Sequence, residues 1–356
     1  MSMSQDAQDV RSSGAAGAAG NSGMSSPGTM IVGPPRYPPS SVKRWLTCPE
    51  FWRLSKVWEP RAAGWTPHIV VGRAIHAGIA AWLRPRIVDH ESQENQIEGV
   101  SHAVPFTSPV NLDPLTVALE VLTNGYVQQD TWALEGLQAL VTKGLARLRR
   151  LVEGDILPGA EVIAVEYPDP VQDPRLGTHR LHRVVDCILA RGDALEVWDW
   201  KTKIRLDEAY LGETARAVLH SWQLLDYSWH VEQWAHDGRF TVGQALLAFL
   251  VRHAAHGLVI LGPKLMAQAI PVTLTPERLN QWRRDATNIW GQMWEMDPRN
   301  SRATCLPWHN WEACSDRHLH YGKECQFVPA CHLLNGNEEQ FSGVYQKVGD
   351  GLHDSD

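Results

Sequence analysis

Gly192-Asp193 stands between two apolar runs, HRVVDCILAR and ALEVWDWKTK, and constrains the chain more than any other feature. A glycine at the first central position of a two-residue loop suits the turns that join antiparallel strands without splaying them. Closing a hairpin there pairs Arg191 with Ala194 and sets every later pair by counting. Asp186 then falls opposite Asp199. Asp199 and Lys201 are two apart, so they share one face of the second strand, with Trp198 and Trp200 next to them. Carboxylates opposed across a ladder repel each other. A divalent cation held between them by oxygen ligands, with the Lys201 ammonium alongside, removes the conflict. A different register, sending one aspartate to solvent, removes it as well.

The rest of the composition limits what surrounds this hairpin. Residues 1–39 are rich in Ser, Gly, Ala and Pro and predict a disordered tail, and residues 336–356 predict a loose acidic one, leaving a folded body over about 40–335. No run of about 18 apolar residues is present, so no membrane span is expected. The absence of a basic start followed by an apolar stretch points to a reducing, cytoplasmic setting. A net charge of −7 argues against a protein that merely coats nucleic acid. It leaves room for a local basic groove, and Lys143, Arg147, Arg149 and Arg150 cluster on one predicted helix, where an ordinary solvated face is the equal alternative. The sixteen tryptophans mostly follow helical packing patterns, although exposed ones would suit base stacking.

Along the chain, SSVKRWLTCPEFWRLSKV from Ser40 predicts a capped helix. HIVVGRAIHAGIAAWLRP predicts a second, led by Gly72 and carrying His76. A long polar loop is expected over 86–112, followed by helices at 113–130 and 131–153. The pattern then changes to strands at EVIAVEYP and the hairpin, with a helix over 213–236 and further strands in TVGQALLAFLVRH and GLVILGP. PERLNQWRRDATNIWGQMW opens on a proline and predicts a long helix. The expectation is an α/β (α+β) fold: a mixed sheet over about 160–275 flanked by helices, with a helical insertion at about 86–155 and a C-terminal helix and segment at about 276–335.

Four of six cysteines, Cys305, Cys314, Cys325 and Cys331, crowd a C-terminal stretch with little regular pattern. That pattern predicts something other than an apolar core to hold it. Disulfides do not suit a reducing compartment, and the close pairs typical of zinc are missing. Thiolates at wider spacing suit an iron–sulfur cluster of four Cys. Cys314, Cys325 and Cys331 are placed for it, and the candidate for the fourth ligand is Cys48, with Cys305 as the rival. Cys187 alternates to the face opposite Asp186 and predicts a buried apolar residue.

Taken in order, these pieces resemble the PD-(D/E)XK nuclease superfamily, in its RecB-like branch with an iron–sulfur cluster. That branch includes CRISPR-associated adaptation nucleases, the nuclease domains of bacterial helicase–nucleases and phage exonucleases. SSVKRWLTCPEFWRL is similar to its N-terminal helix with the first cluster cysteine, GRAIHAGI to its G-x-x-x-H helix, and DWKTK to its D-x-K signature. Asp186 matches its core-strand aspartate, WQLLDY its Q-x-x-x-Y motif, and C-x₁₀-C-x₅-C its cluster anchor. The first cysteine gap is wider than in the CRISPR-associated members, and HRLHRVVD lacks a glycine common before the aspartate.

The resemblance implies a restriction-endonuclease-like fold and a DNA exonuclease. It implies Mg²⁺ or Mn²⁺ on His76, Asp186, Asp199 and the Trp200 carbonyl, with Lys201 orienting the attacking water or stabilising charge on phosphorus. Gln223 and Tyr227 would position the strand. It also implies a 4Fe–4S cluster on Cys48, Cys314, Cys325 and Cys331, and a helicase or recombinase as a possible partner. Glu166 and Glu196 are acidic and nearby in sequence, and Glu196 is expected to face away from Asp199. The alternative is a non-catalytic iron–sulfur subunit that binds DNA and docks to such a partner.

Overall fold

The computed structural model describes residues 35–60, 67–87, 113–126, 133–168, 184–203, most of 217–297 and short pieces between 300 and 347. Residues 1–34, the loop at 88–112, Cys305, Cys314 and the last nine residues lie outside that set. The N-terminal segment expected to be one helix is two, α1 (Pro39–Thr47) and α2 (Pro49–Val57). The break has a steric cause. Pro49 excludes helical backbone at the residue before it, and Cys48 is extended, with φ −163° and ψ 114°. Helix α3 (Pro67–Leu83) already includes Gly72, so the glycine lies inside the helix rather than ahead of it. Helix α4 (Pro114–Gly125) starts where the Asp113 carboxylate accepts the Thr116 amide at 3.0 Å, and α5 spans Leu134–Leu151.

The sheet is mixed. Strands β2 (Glu161–Pro168), β3 (Val184–Arg191) and β4 (Ala194–Lys203) run on to β7 (Leu250–Ile260) and β8 (Met266–Thr273) in the order β2-β3-β4-β7-β8. Two short strands, β5 (Thr241–Val242) and β6 (Ala245–Leu246), pair only with each other. The hairpin register is the expected one: Arg191 pairs with Ala194, and the ladder runs to Cys187 opposite Trp198. Gly192 has φ +59°, the left-handed backbone a two-residue loop of this kind requires. Strands β4 and β7 are parallel, joined through α6 (Trp222–His236), whose start is capped by Ser221. Two strands were expected between 241 and 263; β7 instead runs unbroken through Gly257. Strand β8 was not anticipated, because Pro271 interrupts its pattern, and an edge is where a sheet tolerates proline.

Helices cover both faces. On one, Leu195, Val197, Ala254 and Leu258 pack with residues of α6 and of α7 (Pro276–Met296), including Leu224 and Trp282. On the other, Leu189, Trp198, Trp200 and Val259 pack with Ile75, Ile79, Leu145 and Leu148 of α3 and α5. Most of the tryptophans with described surroundings serve packing: Trp52, Trp82, Trp229, Trp234, Trp282 and Trp290 are among the buried ones, and Trp222 and Trp294 are partly buried against the core that holds Trp282. The folded body is also longer than expected. Tyr37 is fully buried and its hydroxyl donates to Asp297 at 2.7 Å. Beyond residue 335, Phe341 and Tyr345 are buried, and β9 (Tyr345–Lys347) pairs with β1 (Trp58–Pro60).

The C-terminal segment also has the apolar core its sequence did not announce. Phe327, Ala330, Phe341 and Tyr345 pack with Leu54 and Phe51 of α2. Alternating small and aromatic residues across long gaps leave no periodicity to read, so this core is visible only once the two ends meet.

Gly257 sits opposite Trp200 in the β4–β7 ladder, and a Cβ there would collide with the Trp200 ring. Gly257→Ala is expected to cost about 1–3 kcal/mol in urea denaturation, the usual range for overpacking. An unchanged midpoint would mean that the Trp200 ring is free to move aside.

Candidate active site

Helix α3 brings His76 to the sheet because Gly72 lets it come close. A Cβ on Gly72 would lie 3.0 Å from the Thr202 hydroxyl of β4. One turn further on, His76 Nδ1 lies 3.6 Å from Asp186 Oδ2.

Asp186 sits where the hairpin ladder ends. Counting on from Cys187 and Trp198 places it opposite Asp199, as expected, and its Oδ2 accepts the Trp200 amide at 2.7 Å. Asp199 is completely buried. Its Oδ1 accepts from Lys201 Nζ at 2.9 Å. Its Oδ2 faces His256 Nε2 at 3.0 Å without the alignment of a hydrogen bond, so both atoms lack a hydrogen-bond partner. His256 is the β7 residue paired with Asp199 in the parallel ladder.

The third acid comes from β2. Flanking pairs, Val165 with Cys187 and Tyr167 with Val185, set Glu166 beside Asp186. Glu166 has φ +50°, a left-handed backbone that costs a non-glycine residue about 1–3 kcal/mol and is typically retained at functional sites. One ligand atom each from His76, Glu166 and Asp186 lies within 4.8 Å of the others, the arrangement a single cation needs. Asp199 stands next to this set rather than within it.

The electrostatics match that geometry. Burial first, and the neighbouring Asp186 charge second, push Glu166 up to about 7. Asp186 is raised for the same reasons, burial and then Asp199. His76 is lowered, chiefly by burial, which favours the neutral imidazole that ligates metals. Three acids share a largely buried site, with the Lys201 ammonium bonded to Asp199. Hard carboxylate oxygens with one imidazole suit Mg²⁺ or Mn²⁺.

Gln223 and Tyr227 lie on α6, which packs on the face of the sheet opposite α3, the face that Asp199 and Lys201 share. Gln223 Nε2 donates to the Tyr227 hydroxyl at 2.9 Å, one turn apart on α6, which packs on β4 and β7. Burial, then Asp199 and Asp186, hold the Tyr227 hydroxyl well above its ordinary value, so it keeps its proton as a donor. Glu196 turns away as expected, bonded to Arg191 at 2.7 Å and to Trp198 Nε1 at 3.2 Å.

The structure therefore gathers His76, Asp186, Asp199, Trp200, Lys201, Gln223 and Tyr227, and adds Glu166 and His256. Strict alternation along EVIAVEYP hid Glu166, because its positive φ is not written in a strand pattern. His256 left one trace, a histidine inside an apolar strand.

The expected cluster ligands lie apart from this site. Cys48 and Cys325 are buried and Cys331 is half-buried. Cys325 and Cys331 border the small core formed by Phe51 and Leu54 of α2, which Cys48 directly precedes, and Cys48 Sγ accepts the Asn310 amide at 3.4 Å. Cys325 and Cys331 thus border the helix that Cys48 precedes, while Cys314 lies outside the described residues. Cys187 is buried among apolar side chains, as expected. Among the described residues no helix is long and apolar enough to cross a membrane.

A mixed five-stranded sheet between helices, with acids and a lysine converging from β2, β3 and β4, defines a protein of the nuclease class. The chain matches the PD-(D/E)XK nuclease superfamily over residues 36–332 and belongs to that superfamily. No curated protein matches it significantly.

With a chelator present, Glu166 and Asp186 bind protons more tightly folded than unfolded. Their stabilising contribution is complete below their unfolded pKa of about 4 and is lost as pH rises through about 7. The melting temperature of the metal-free protein should therefore fall between about pH 5 and pH 8, and Glu166→Gln should flatten that fall. A wild-type profile as flat as the variant's would show that these acids are not crowded.

Proposed function

We propose that the protein is a divalent-metal-dependent deoxyribonuclease, acting as an exonuclease in DNA repair, recombination or phage DNA processing. The observation that carries this reading is the convergence of His76, Glu166 and Asp186 next to the buried Asp199–Lys201 pair. His76, Glu166 and Asp186 would hold Mg²⁺ or Mn²⁺, with Asp199 and the Trp200 carbonyl at its margin. A cation bound there polarises the phosphate and lowers the pKa of a water.

The chain's own groups do the rest. Asp199 holds the Lys201 ammonium toward the site, where it orients the attacking water and offsets charge growing on phosphorus. His256, buried and facing Asp199, fixes the carboxylate from behind. The Tyr227 hydroxyl and the Gln223 amide offer neutral donors to a phosphate oxygen of the strand.

We also propose that Cys48, Cys314, Cys325 and Cys331 hold a 4Fe–4S cluster, supported by the packing of Cys325 and Cys331 against α2, the helix that Cys48 precedes. A helicase or recombinase partner fits a nuclease of this kind, and cleavage by the isolated chain decides against a purely DNA-binding subunit.

Digestion of end-labelled single- and double-stranded DNA with Mg²⁺ or Mn²⁺ tests the reading. Asp186→Asn, Glu166→Gln, Asp199→Ala and Lys201→Ala should each lower the rate about a hundredfold or more with the fold retained by circular dichroism. His76→Ala should need more Mn²⁺ for half-maximal rate. Near-normal cleavage by the Asp186 or Lys201 variant would remove this site as the catalytic one.

For the cluster, anaerobically purified protein should carry about four iron and four sulfide per chain. Cys48→Ala or Cys331→Ala should lose the brown absorbance, while Cys187→Ala and Cys305→Ala keep it. One zinc per chain, or loss of the chromophore in Cys305→Ala instead of Cys48→Ala, would correct the metal or the ligand.

A further inference from the structure

Beyond Lys201, the same face of β4 carries a second lysine. Asp199, Lys201 and Lys203 alternate onto one side of the strand, about 6.6 Å apart at each step. Lys201 is paired with Asp199. Lys203 is only partly exposed, and among the described residues its ammonium has no hydrogen-bond or ion-pair partner. Helix α1, which packs against α6 and α7 on this side of the sheet, presents the exposed Lys43.

Among the described residues, two lysines and a single acid, Asp199, act on Lys203. Burial lowers its pKa, and the positive charges of Lys201 and Lys43 lower it further, with Asp199 the one acid opposing them. Holding a lysine half-buried beside two others is unfavourable in the empty protein, and an anion placed between Lys203 and Lys43 relieves it. In a chain of net charge −7, a row of ammonium groups leading directly out of a carboxylate cluster is a local exception.

We propose that Lys203, with Lys43, forms a phosphate-binding subsite that holds the nucleic-acid strand one or two phosphates away from the bond at Asp186 and Asp199. The inference rests on the nuclease reading for the identity of the ligand and adds the direction in which the strand leaves the site: along the C-terminal end of β4 and over α1. The subsite contacts phosphate alone, so it adds affinity and register without base preference.

The test is equilibrium binding of fluorescent oligonucleotides in Ca²⁺ across a salt series, so that binding is read without cleavage. Matched strands carry a 5′-phosphate or a 5′-hydroxyl, and cleavage in Mg²⁺ or Mn²⁺ is measured in parallel. Lys203→Gln and Lys203→Met should each weaken binding about tenfold at moderate salt and reduce the slope of log affinity against log salt by about one. Lys203→Arg should restore most of both, and Lys43→Gln should add a smaller loss. The methionine keeps the packing of the side chain, so a purely structural lysine would leave its salt slope at the wild-type value. KM should rise with Kd in the same variants.

A loss shared by both oligonucleotides assigns an internal phosphodiester to the subsite, and a loss confined to the phosphorylated one assigns a terminal phosphate; either supports it. Unchanged affinity and slope in both Lys203→Gln and Lys203→Met overturn it, whether or not the wild type cuts DNA. Wild-type protein that binds the oligonucleotides with the Lys203 dependence but never cleaves them would overturn the nuclease reading and leave the subsite standing.

Discussion

Glu166 and Asp186 are two carboxylates with oxygens within 4.8 Å of each other at one end of the sheet, with the buried Asp199 beside them, and most of the architecture follows from keeping them there. In water such charges barely interact, but in a buried setting their repulsion amounts to several kcal/mol. The fold answers partly with its own groups. Lys201 takes one oxygen of Asp199, the Trp200 amide takes one of Asp186, and His256 is set against the remaining oxygen of Asp199. What is left is negative charge facing a neutral imidazole, and Glu166 and Asp186 respond by holding protons at pH values where free carboxylates have lost them. A cation among these groups would relieve that repulsion, which is the premise of the proposed metal site.

Two glycines let the scaffold approach closely enough to build it. Gly72 brings α3 against Thr202, so that His76 reaches Asp186. Gly257 leaves room for the Trp200 ring on the central strand, which keeps the Trp200 backbone, and with it the Asp199 and Lys201 side chains, at a fixed height above the sheet. Helix α6 then closes the opposite side with Gln223 and Tyr227. Each of these close approaches comes from a different stretch of chain, and the superfamily match spans them all.

Much of this was legible in the residues. The Gly192-Asp193 loop set the hairpin register, and the register placed Asp186 opposite Asp199, because a two-residue turn leaves no freedom in counting. His76, Lys201, Gln223 and Tyr227 followed from motif order. Glu166 was hidden for a physical reason: its left-handed backbone breaks the alternation by which a strand's faces are read. His256 depended on a parallel pairing formed across a crossover helix, and no local pattern encodes such a partner. The C-terminal segment was misread for want of periodicity, since Phe327, Phe341 and Tyr345 find their core only against α2, nearly three hundred residues earlier in the chain.

The central claim is that His76, Glu166 and Asp186 form one cation site. It is tested most directly by a crystal grown or soaked with Mn²⁺ and measured at a wavelength where manganese scatters anomalously. The account predicts a single strong anomalous peak within coordination distance of His76 and of carboxylate oxygens of Glu166 and Asp186. A peak that leaves Glu166 unligated, or no peak at this end of the sheet at a Mn²⁺ concentration that supports cleavage, would contradict it.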